Sequence, residues 1–158
     1  MHKRSFFGIG HLFFAVSLIY SLIILNLDHL IFDTYRFTSY HNFAAFFIGI
    51  TLIITGIAIL VFSLIEIKKA FTKNKLTTSG VYSFIRHPIY GAWIVFIVPG
   101  IVIIDGQLLG LTIPIAMYFI FRVLIKKEEQ KLLDLFGSDY QKYMKNVNAI
   151  FPKLHRRY

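Results

Sequence analysis

The chain has 158 residues, 56% of them hydrophobic, and a mean hydropathy of +0.65, which is more apolar surface than a soluble domain of this length can bury. It contains no Cys, which excludes disulfides, thiolate metal ligands and a Cys nucleophile within the chain. Its net charge of +9 would suggest nucleic acid as the partner of a soluble protein, but the basic residues cluster beside apolar runs. That placement favours membrane lipids with anionic headgroups as partners, and no nucleic acid.

Two long uncharged runs occupy the first part of the chain. The first extends from Ser5 to Leu27 after a short basic start, and the second extends from Phe43 to Ile65. Each is long enough to cross about 30 Å of hydrocarbon as a helix. The first run lacks the short apolar core and small-x-small cleavage site of a signal peptide, so we expect a retained span. We expect a polar connection from Asp28 to Asn42, and helix packing at Gly49 and Gly56.

Two further apolar runs predict the third and fourth spans. Ile89 to Ile104 ends at the turn signal Asp105-Gly106, and Gln107 to Ile125 returns across the membrane, with a kink expected at Pro114. The sequence therefore predicts an all-α integral membrane protein with about four transmembrane helices and short C-terminal cytosolic helices.

The Lys and Arg residues alternate along these segments. There are 2 before the first span, 1 in the first loop, 5 in the second loop, and 9 from Arg122 onward. This alternation predicts a multi-pass protein with both termini in the cytoplasm. The pairs Arg86-His87 and Glu128-Glu129 then fall on the same side of the membrane, which is the geometric condition for a shared site.

The helix that follows the fourth run carries its acidic pair on an unexpected face. At about 100° per residue, Glu128, Glu129 and Arg122 fall within the apolar sector of this helix, where a solvated run of charges would not place them. Gly137 is expected to end the helix, and Ser138 is a candidate cap for a short helix after it.

The stretch from Gly80 to Gly91 places polar and aromatic residues where the third span enters the bilayer. His87-Pro88 predicts a helix start, because Pro fits the first helical position and disfavours the α region for the residue before it. His87 and Tyr90 would then lie at the helix mouth, beside free backbone N–H groups. The alternative is that these residues are ordinary topology signals and members of the aromatic belt.

A series of motifs runs along the chain from about Lys75 to Pro152. In order, they are Thr78-Ser79-Gly80-Val81-Tyr82, Arg86-His87-Pro88-Ile89-Tyr90, Arg122, Glu128-Glu129, Phe136-Gly137, Tyr140 and Tyr143. Together they resemble the isoprenylcysteine carboxyl methyltransferase family, which belongs with the membrane phospholipid methyltransferases.

The resemblance implies methyl transfer from S-adenosylmethionine to a lipophilic acceptor, either an isoprenylcysteine carboxylate-like group or a lipid. From the apolar runs we expect a single membrane domain over 1–158 with two N-terminal spans in 1–65, and the resemblance implies a methyltransferase core with the cofactor pocket in 75–152. The implied cofactor-binding residues are Leu76, Thr77, Tyr82, His87, Pro88, Ile89, Tyr90 and Glu128.

These residue types suit the implied chemistry. Methyl transfer from a sulfonium is an in-line displacement that needs a pocket, a positioned nucleophile and exclusion of water, and it requires no metal. Aromatic rings and carboxylates suit a sulfonium or an ammonium group, and His with helix-mouth N–H groups suits a carboxylate. The six His residues are scattered without an H-x-x-x-H pair, which disfavours a metal site.

The sequence departs from the family pattern at two places. Gly91 directly follows Tyr90, and Ala92 stands where the family commonly has Gly. Leu124 stands where eukaryotic prenylcysteine enzymes carry an Arg implicated with substrate, so Arg122 is the substitute candidate. We take Arg122 and Glu129 as the candidate catalytic residues, with carboxylate, amine and thiol acceptors left open.

Two other functions are compatible with parts of the pattern. Membrane sterol and steroid reductases share a similar Arg-His-Pro-x-Tyr ending and use NADPH, but they carry more spans than this chain. A non-enzymatic membrane scaffold would leave the two carboxylates on the apolar helix face unexplained.

The predicted topology can be tested by cysteine labelling, because the natural chain has no Cys. A Cys introduced at Ser138 should react only with a reagent that crosses the membrane, whereas one at Asp105 should react from outside. Labelling of the Cys at position 138 by an impermeant reagent added outside intact cells would contradict the assignment.

Overall fold

The structure is a computed structural model that describes residues 10–32, 42–72 and 75–153. Within these ranges, four helices are long and apolar enough to cross a membrane, namely Gly10–Ile31, Phe43–Ala70, Pro88–Asp105 and Leu109–Asn146. The predicted all-α membrane fold with four spans is therefore confirmed.

Helix α1 (Gly10–Phe32) extends further than the sequence predicts. Asp28 was expected to start a polar connection, but it lies inside α1 and is buried. Its Oδ1 accepts a hydrogen bond of 2.6 Å from the backbone N–H of Leu109, which satisfies one of the two carboxylate oxygens from within the protein. The helix can therefore continue through Asp28. The rest of the expected connection, at 33–41, lies outside the described residues.

Helix α2 (Phe43–Thr72) packs against the third span through glycines. A Cβ atom at Gly49 would lie 2.5 Å from Ile104 Cγ1, and one at Gly56 would lie 2.6 Å from Ile97 Cγ1. No larger residue fits at either position without displacing the facing helix. The prediction that both glycines are packing points is confirmed.

The third span is not a uniform helix. It consists of α3 (Pro88–Gly91), a π-helical segment (Ala92–Ile97) and α4 (Val98–Asp105). The π-segment ends just before Pro99, which has no backbone N–H to donate to the preceding turn. This span carries the predicted helix mouth at its first residues.

The fourth span starts with a 3₁₀ turn (Leu109–Leu111) and continues as α5 (Thr112–Asn146). The predicted kink at Pro114 is wrong, because Pro114 is the third residue of α5, where the backbone N–H has no helical acceptor to lose. The helix is instead broken at Gly137, whose φ of 52° and ψ of −125° are non-helical. The prediction that Gly137 ends this helix is confirmed, while Ser138 as a cap stays a prediction.

The core lies between the third span, α1 and α5. Its buried members come from these three elements and from the C-terminal segment, and they are Phe13, Tyr90, Ile94, Ile113, Met117, Phe121, Ile125 and Ile150. Many large apolar side chains of α1 and α2 face outward instead, such as Leu18 and Phe47. A bilayer is the environment in which such faces are stable.

The segment after α5 returns to the mouth of the third span. The backbone N–H groups of Arg86 and His87 donate to the carbonyl oxygens of Asn148 and Ala149, at 2.8 and 2.9 Å. Arg86 Nη1 also donates to the carbonyl oxygens of Met144 and Val147, at 3.0 and 2.6 Å, which are among the orphan acceptors at the end of α5. The chain end is therefore fixed to the residues that carry the helix mouth.

We expect Arg86→Lys to loosen the segment 147–150, because a single ammonium cannot reproduce the donor fork of a guanidinium. The local free energy of opening should fall by about 1–3 kcal/mol, which is the range for losing charge-assisted hydrogen bonds. Amide hydrogen exchange of 144–150 measures this opening. Arg122→Lys is the matched control, because Arg122 hydrogen-bonds to Tyr118 on its own helix. Equal exchange in both variants would contradict the role given to Arg86.

Candidate functional site

The helix mouth forms where the sequence predicts it. His87 is the N-cap residue of α3 and Pro88 is its first residue, so the chain enters the third span at this pair. Both residues are buried, with only 4% of the His87 side chain exposed, while Ile89 is half-buried. The rigid φ of proline fixes the direction in which His87 and Tyr90 leave the backbone.

Tyr90 and Glu128 meet at this mouth. The Tyr90 hydroxyl donates a hydrogen bond of 2.9 Å to Glu128 Oε2, although the two residues lie 38 positions apart. Glu128 is half-buried on α5, and within the described residues its Oε1 has no hydrogen-bond partner. One carboxylate oxygen is thus held by protein and the other is available to a cationic or hydrogen-bonding ligand.

Glu129 is placed differently from its neighbour. Its Oε1 accepts from Arg86 Nη2 at 2.6 Å and from Arg86 Nε at 3.1 Å, and it lies 3.0 Å from His87 Nε2. Because a carboxylate oxygen only accepts, this contact assigns a proton to Nε2 of the His87 ring. Glu129 therefore orients His87 and balances the Arg86 charge, while Glu128 keeps one carboxylate oxygen without a hydrogen-bond partner among the described residues.

Aromatic rings surround His87 and Tyr90. The Phe121 ring lies 5.7 Å from the His87 ring and 5.3 Å from the Tyr90 ring, measured between centroids. The packed rings of His87, Tyr90 and Phe121 exclude water from one side of the site and present π-faces and ring edges to a bound group.

Tyr82 lies in a 3₁₀ turn (Gly80–Ser83) and is buried. Its backbone carbonyl oxygen accepts a hydrogen bond of 2.6 Å from the Tyr143 hydroxyl, which ties this turn to α5. Burial raises the pKa of the Tyr82 phenol, and the nearby Tyr143 and Glu128 raise it further. Tyr82 is therefore a neutral hydrogen-bonding group in the neighbourhood of Glu128.

Leu76 and Thr77 line a cavity of about 210 Å³ just before this turn. Glu66 also lines it, and its Oε2 accepts a hydrogen bond of 2.9 Å from Ser79 Oγ. Sequence reasoning missed Glu66. The available signal was its isolation, because it is the one acidic residue in the sequence between Asp33 and Asp105.

The structure brings some of the predicted site residues together and leaves another apart. Tyr90 meets Glu128, and His87 meets Glu129, as described above. Arg122 is exposed, and its Nη1 donates to the Tyr118 hydroxyl at 3.2 Å, one turn earlier on α5. Arg122 and Glu129, the two candidate catalytic residues, therefore share α5 but have different hydrogen-bond partners.

Comparisons with known proteins concern this same part of the chain. A family model described as "Isoprenylcysteine carboxyl methyltransferase (ICMT) family" matches residues 49–134, which is more than half of the chain and includes both the helix mouth and the acidic pair. The chain is also 34% identical over 80 residues to a protein-S-isoprenylcysteine O-methyltransferase of Dictyostelium discoideum, covering 51% of this chain and 34% of that protein.

Two further similar proteins are also named as methyltransferases. Methanethiol S-methyltransferase 1 of Bradyrhizobium diazoefficiens is 34% identical over 84 residues, covering 53% of this chain and 28% of that protein. A probable protein-S-isoprenylcysteine O-methyltransferase of Oryza sativa subsp. indica is 27% identical over 115 residues, covering 67% of this chain and 60% of that protein. The chain thus spans less than two thirds of the length of each of these relatives. Because the family model covers most of the third and fourth spans and both halves of the helix-mouth site, this chain belongs to the isoprenylcysteine carboxyl methyltransferase family.

Proposed function

We propose that this chain is an integral membrane methyltransferase that takes its methyl group from S-adenosylmethionine and passes it to a lipophilic acceptor. One observation carries the proposal. Glu128 presents a half-buried carboxylate oxygen without a partner among the described residues, beside the Tyr90 hydroxyl and inside the family-matched segment. A half-buried carboxylate is stabilised by a cation or a hydrogen-bond donor, and the α-ammonium of the cofactor would supply one.

The residues around Glu128 fit this cofactor. The aromatic surroundings of Tyr90 suit a sulfonium. Leu76 and Thr77 line a separate cavity, whose lining includes neither Tyr90 nor Glu128. When bound, S-adenosylmethionine supplies an electrophilic methyl group. The residues that would hold it are Leu76, Thr77, Tyr82, His87, Pro88, Ile89, Tyr90 and Glu128.

Glu129 and Arg122 have separate proposed roles. Glu129 acts through His87, because its contacting oxygen is already engaged by the His87 ring and by Arg86. Arg122 is an exposed guanidinium on the fourth span, which suits the charge of an anionic acceptor near the site. Their part in the reaction stays a prediction.

The acceptor reaches the site from the bilayer. The names of the relatives refer to an isoprenylcysteine in one case and to methanethiol in the other. A site at the mouth of a membrane helix is most easily reached by a substrate dissolved in the lipid. We propose that 75–152 carries this site within one membrane domain and that both termini face the cytoplasm, in keeping with the Lys and Arg counts.

Ligand binding to the purified full chain in detergent tests the proposal. Calorimetry should detect S-adenosylmethionine and its demethylated product S-adenosylhomocysteine, and it should detect no binding of NADPH. Binding of NADPH with none of the adenosyl ligands would favour a membrane reductase. Binding of none of the three would favour a non-enzymatic scaffold.

Glu128→Gln should weaken binding of S-adenosylhomocysteine about ten- to a hundred-fold, because a charge-assisted contact of roughly 1.5–3 kcal/mol becomes a neutral one. The thermal midpoint should stay close to that of the parent chain, since the spans carry the stability. Asp134→Asn, an exposed carboxylate two turns later on the same helix, is the control and should leave the affinity unchanged. Unchanged affinity in a normally stable Glu128→Gln chain would contradict the role of Glu128 as a cofactor-binding residue.

A further inference from the structure

Helix α1 lies outside the family-matched segment, yet it contacts the centre of the site. The match begins at residue 49, whereas α1 ends at Phe32. Two residues near the described start of α1, Gly10 and Phe13, face Tyr90. Nothing in the sequence motifs assigns these residues a role.

Gly10 lies beside the hydroxyl that binds Glu128. A Cβ atom at position 10 would lie 3.6 Å from Tyr90 Oη, which is ordinary van der Waals contact. A methyl group therefore fits at this position, while a longer side chain directed the same way would have to displace the hydroxyl. Among the described residues beyond helix α1, Tyr90 Oη is the only atom within 4 Å of that Cβ position, and this hydroxyl is the one that donates to Glu128 Oε2.

Phe13 holds the ring of the same tyrosine. It is fully buried, and its ring meets the Tyr90 ring edge-on, with centroids 5.0 Å apart and an interplanar angle of 89°. Phe121 of α5 lies 5.3 Å from the same ring. The Tyr90 ring thus contacts one aromatic residue from α1 and one from α5, and these contacts limit its rotation.

The position of α1 along its axis is fixed at two further levels. The Tyr20 hydroxyl donates to Thr112 Oγ1 at 3.1 Å, and Asp28 Oδ1 accepts from the Leu109 N–H at 2.6 Å. Both partners belong to the start of the fourth span, whereas Gly10 and Phe13 meet the start of the third. A slide of α1 would break the contacts at both ends, so the register of the helix determines where Gly10 lies.

We propose that α1 forms the bilayer-side wall of the methyl-donor site, with Gly10 lining it beside the Tyr90 hydroxyl and Phe13 acting as a positioning residue for Tyr90. The occupant of the space is the cationic amino-acid end of the donor, the part that the Glu128 carboxylate attracts. The lipid-facing side chains of α1, such as Leu12 and Ile19, separate this space from the hydrocarbon. The inference rests on the proposed function.

Single cysteines in this cysteine-free chain test the proposal directly. Gly10→Cys places a thiol beside the site, and Leu12→Cys places one at nearly the same depth on the exposed side of α1. The probe is S-adenosylhomocysteine, and the readout is the rate of modification by N-ethylmaleimide, followed by mass spectrometry of the full chain in detergent. Calorimetry on the unmodified chain first establishes whether the ligand binds.

Saturating S-adenosylhomocysteine should slow modification at position 10 by roughly ten-fold, because a bound ligand excludes the reagent from a partly buried pocket. The rate at position 12 should not change. Binding without protection at position 10, or equal protection at both positions, would overturn the wall assignment while leaving the proposed function intact. Absence of binding to the unmodified chain would overturn the proposed function and this inference with it.

A size series at position 10 provides a second measurement. Gly10→Ala should keep the affinity for S-adenosylhomocysteine within about two-fold, whereas Gly10→Leu should lower it roughly ten-fold or more, in line with the cost of overpacking a filled site. The thermal midpoint of each variant separates this effect from loss of folding. Phe13→Leu, which keeps an apolar side chain but removes the ring edge, should also lower the affinity. Equal affinities across the series in stable chains would contradict the proposal.

Discussion

A guanidinium can be removed from water only if other groups take over its hydrogen bonds, and Arg86 meets this requirement with partners from distant parts of the chain. Its side chain is 10% exposed, and its donors reach Glu129 and the carbonyl oxygens of Met144 and Val147. The start of the third span, the middle of α5 and the end of α5 must therefore come together for the charge to be tolerated. We call these contacts of Arg86 with Glu129, Met144 and Val147 the Arg86 junction, and the candidate site lies beside it.

The same junction explains why two adjacent carboxylates behave differently. Neighbouring residues on a helix point about 100° apart, so only one of them can face Arg86. Glu129 takes that direction and becomes a structural counter-charge. Glu128 is turned toward Tyr90, whose single hydroxyl occupies one of its two oxygens. The ion pair of Arg86 and Glu129 thus leaves the neighbouring Glu128 carboxylate without a counter-charge among the described residues.

Local rules of the sequence predicted part of this arrangement. Pro88 determined where the third span begins, and helical periodicity placed Glu128 on the face that must find a partner. Periodicity alone could not say which carboxylate meets which residue, because the partners lie 38 to 43 positions away. The same limit applies to Glu66, whose contact with Ser79 depends on a turn with no strong sequence signature.

Other features depend on tertiary contacts that override a local signal. Asp28 resembles the end of a membrane helix in the sequence, yet a distant N–H group allows the helix to pass through it. Pro114 predicts a kink in the fourth span, yet a 3₁₀ turn precedes α5 and Pro114 lies in the first turn of that helix. A proline in the first turn removes no hydrogen bond of the helix. The contacts of α1 with Tyr90 had no sequence signal at all, because Gly10 and Phe13 are unremarkable members of an apolar run.

The π-helical segment of the third span has a consequence for how this protein tolerates insertions and deletions. Each π-turn accommodates one residue more than an α-turn, which rotates the two ends of the span relative to each other by about 100°. The rotation allows Tyr90 to face α1 and α5 while Ile97 and Gly100 face α2. Loss of a single residue between Ala92 and Ile97 would restore a regular helix of similar composition and hydropathy. It would also turn His87 and Tyr90 away from their carboxylates, so the length of this segment is constrained more tightly than the identity of its lipid-facing side chains.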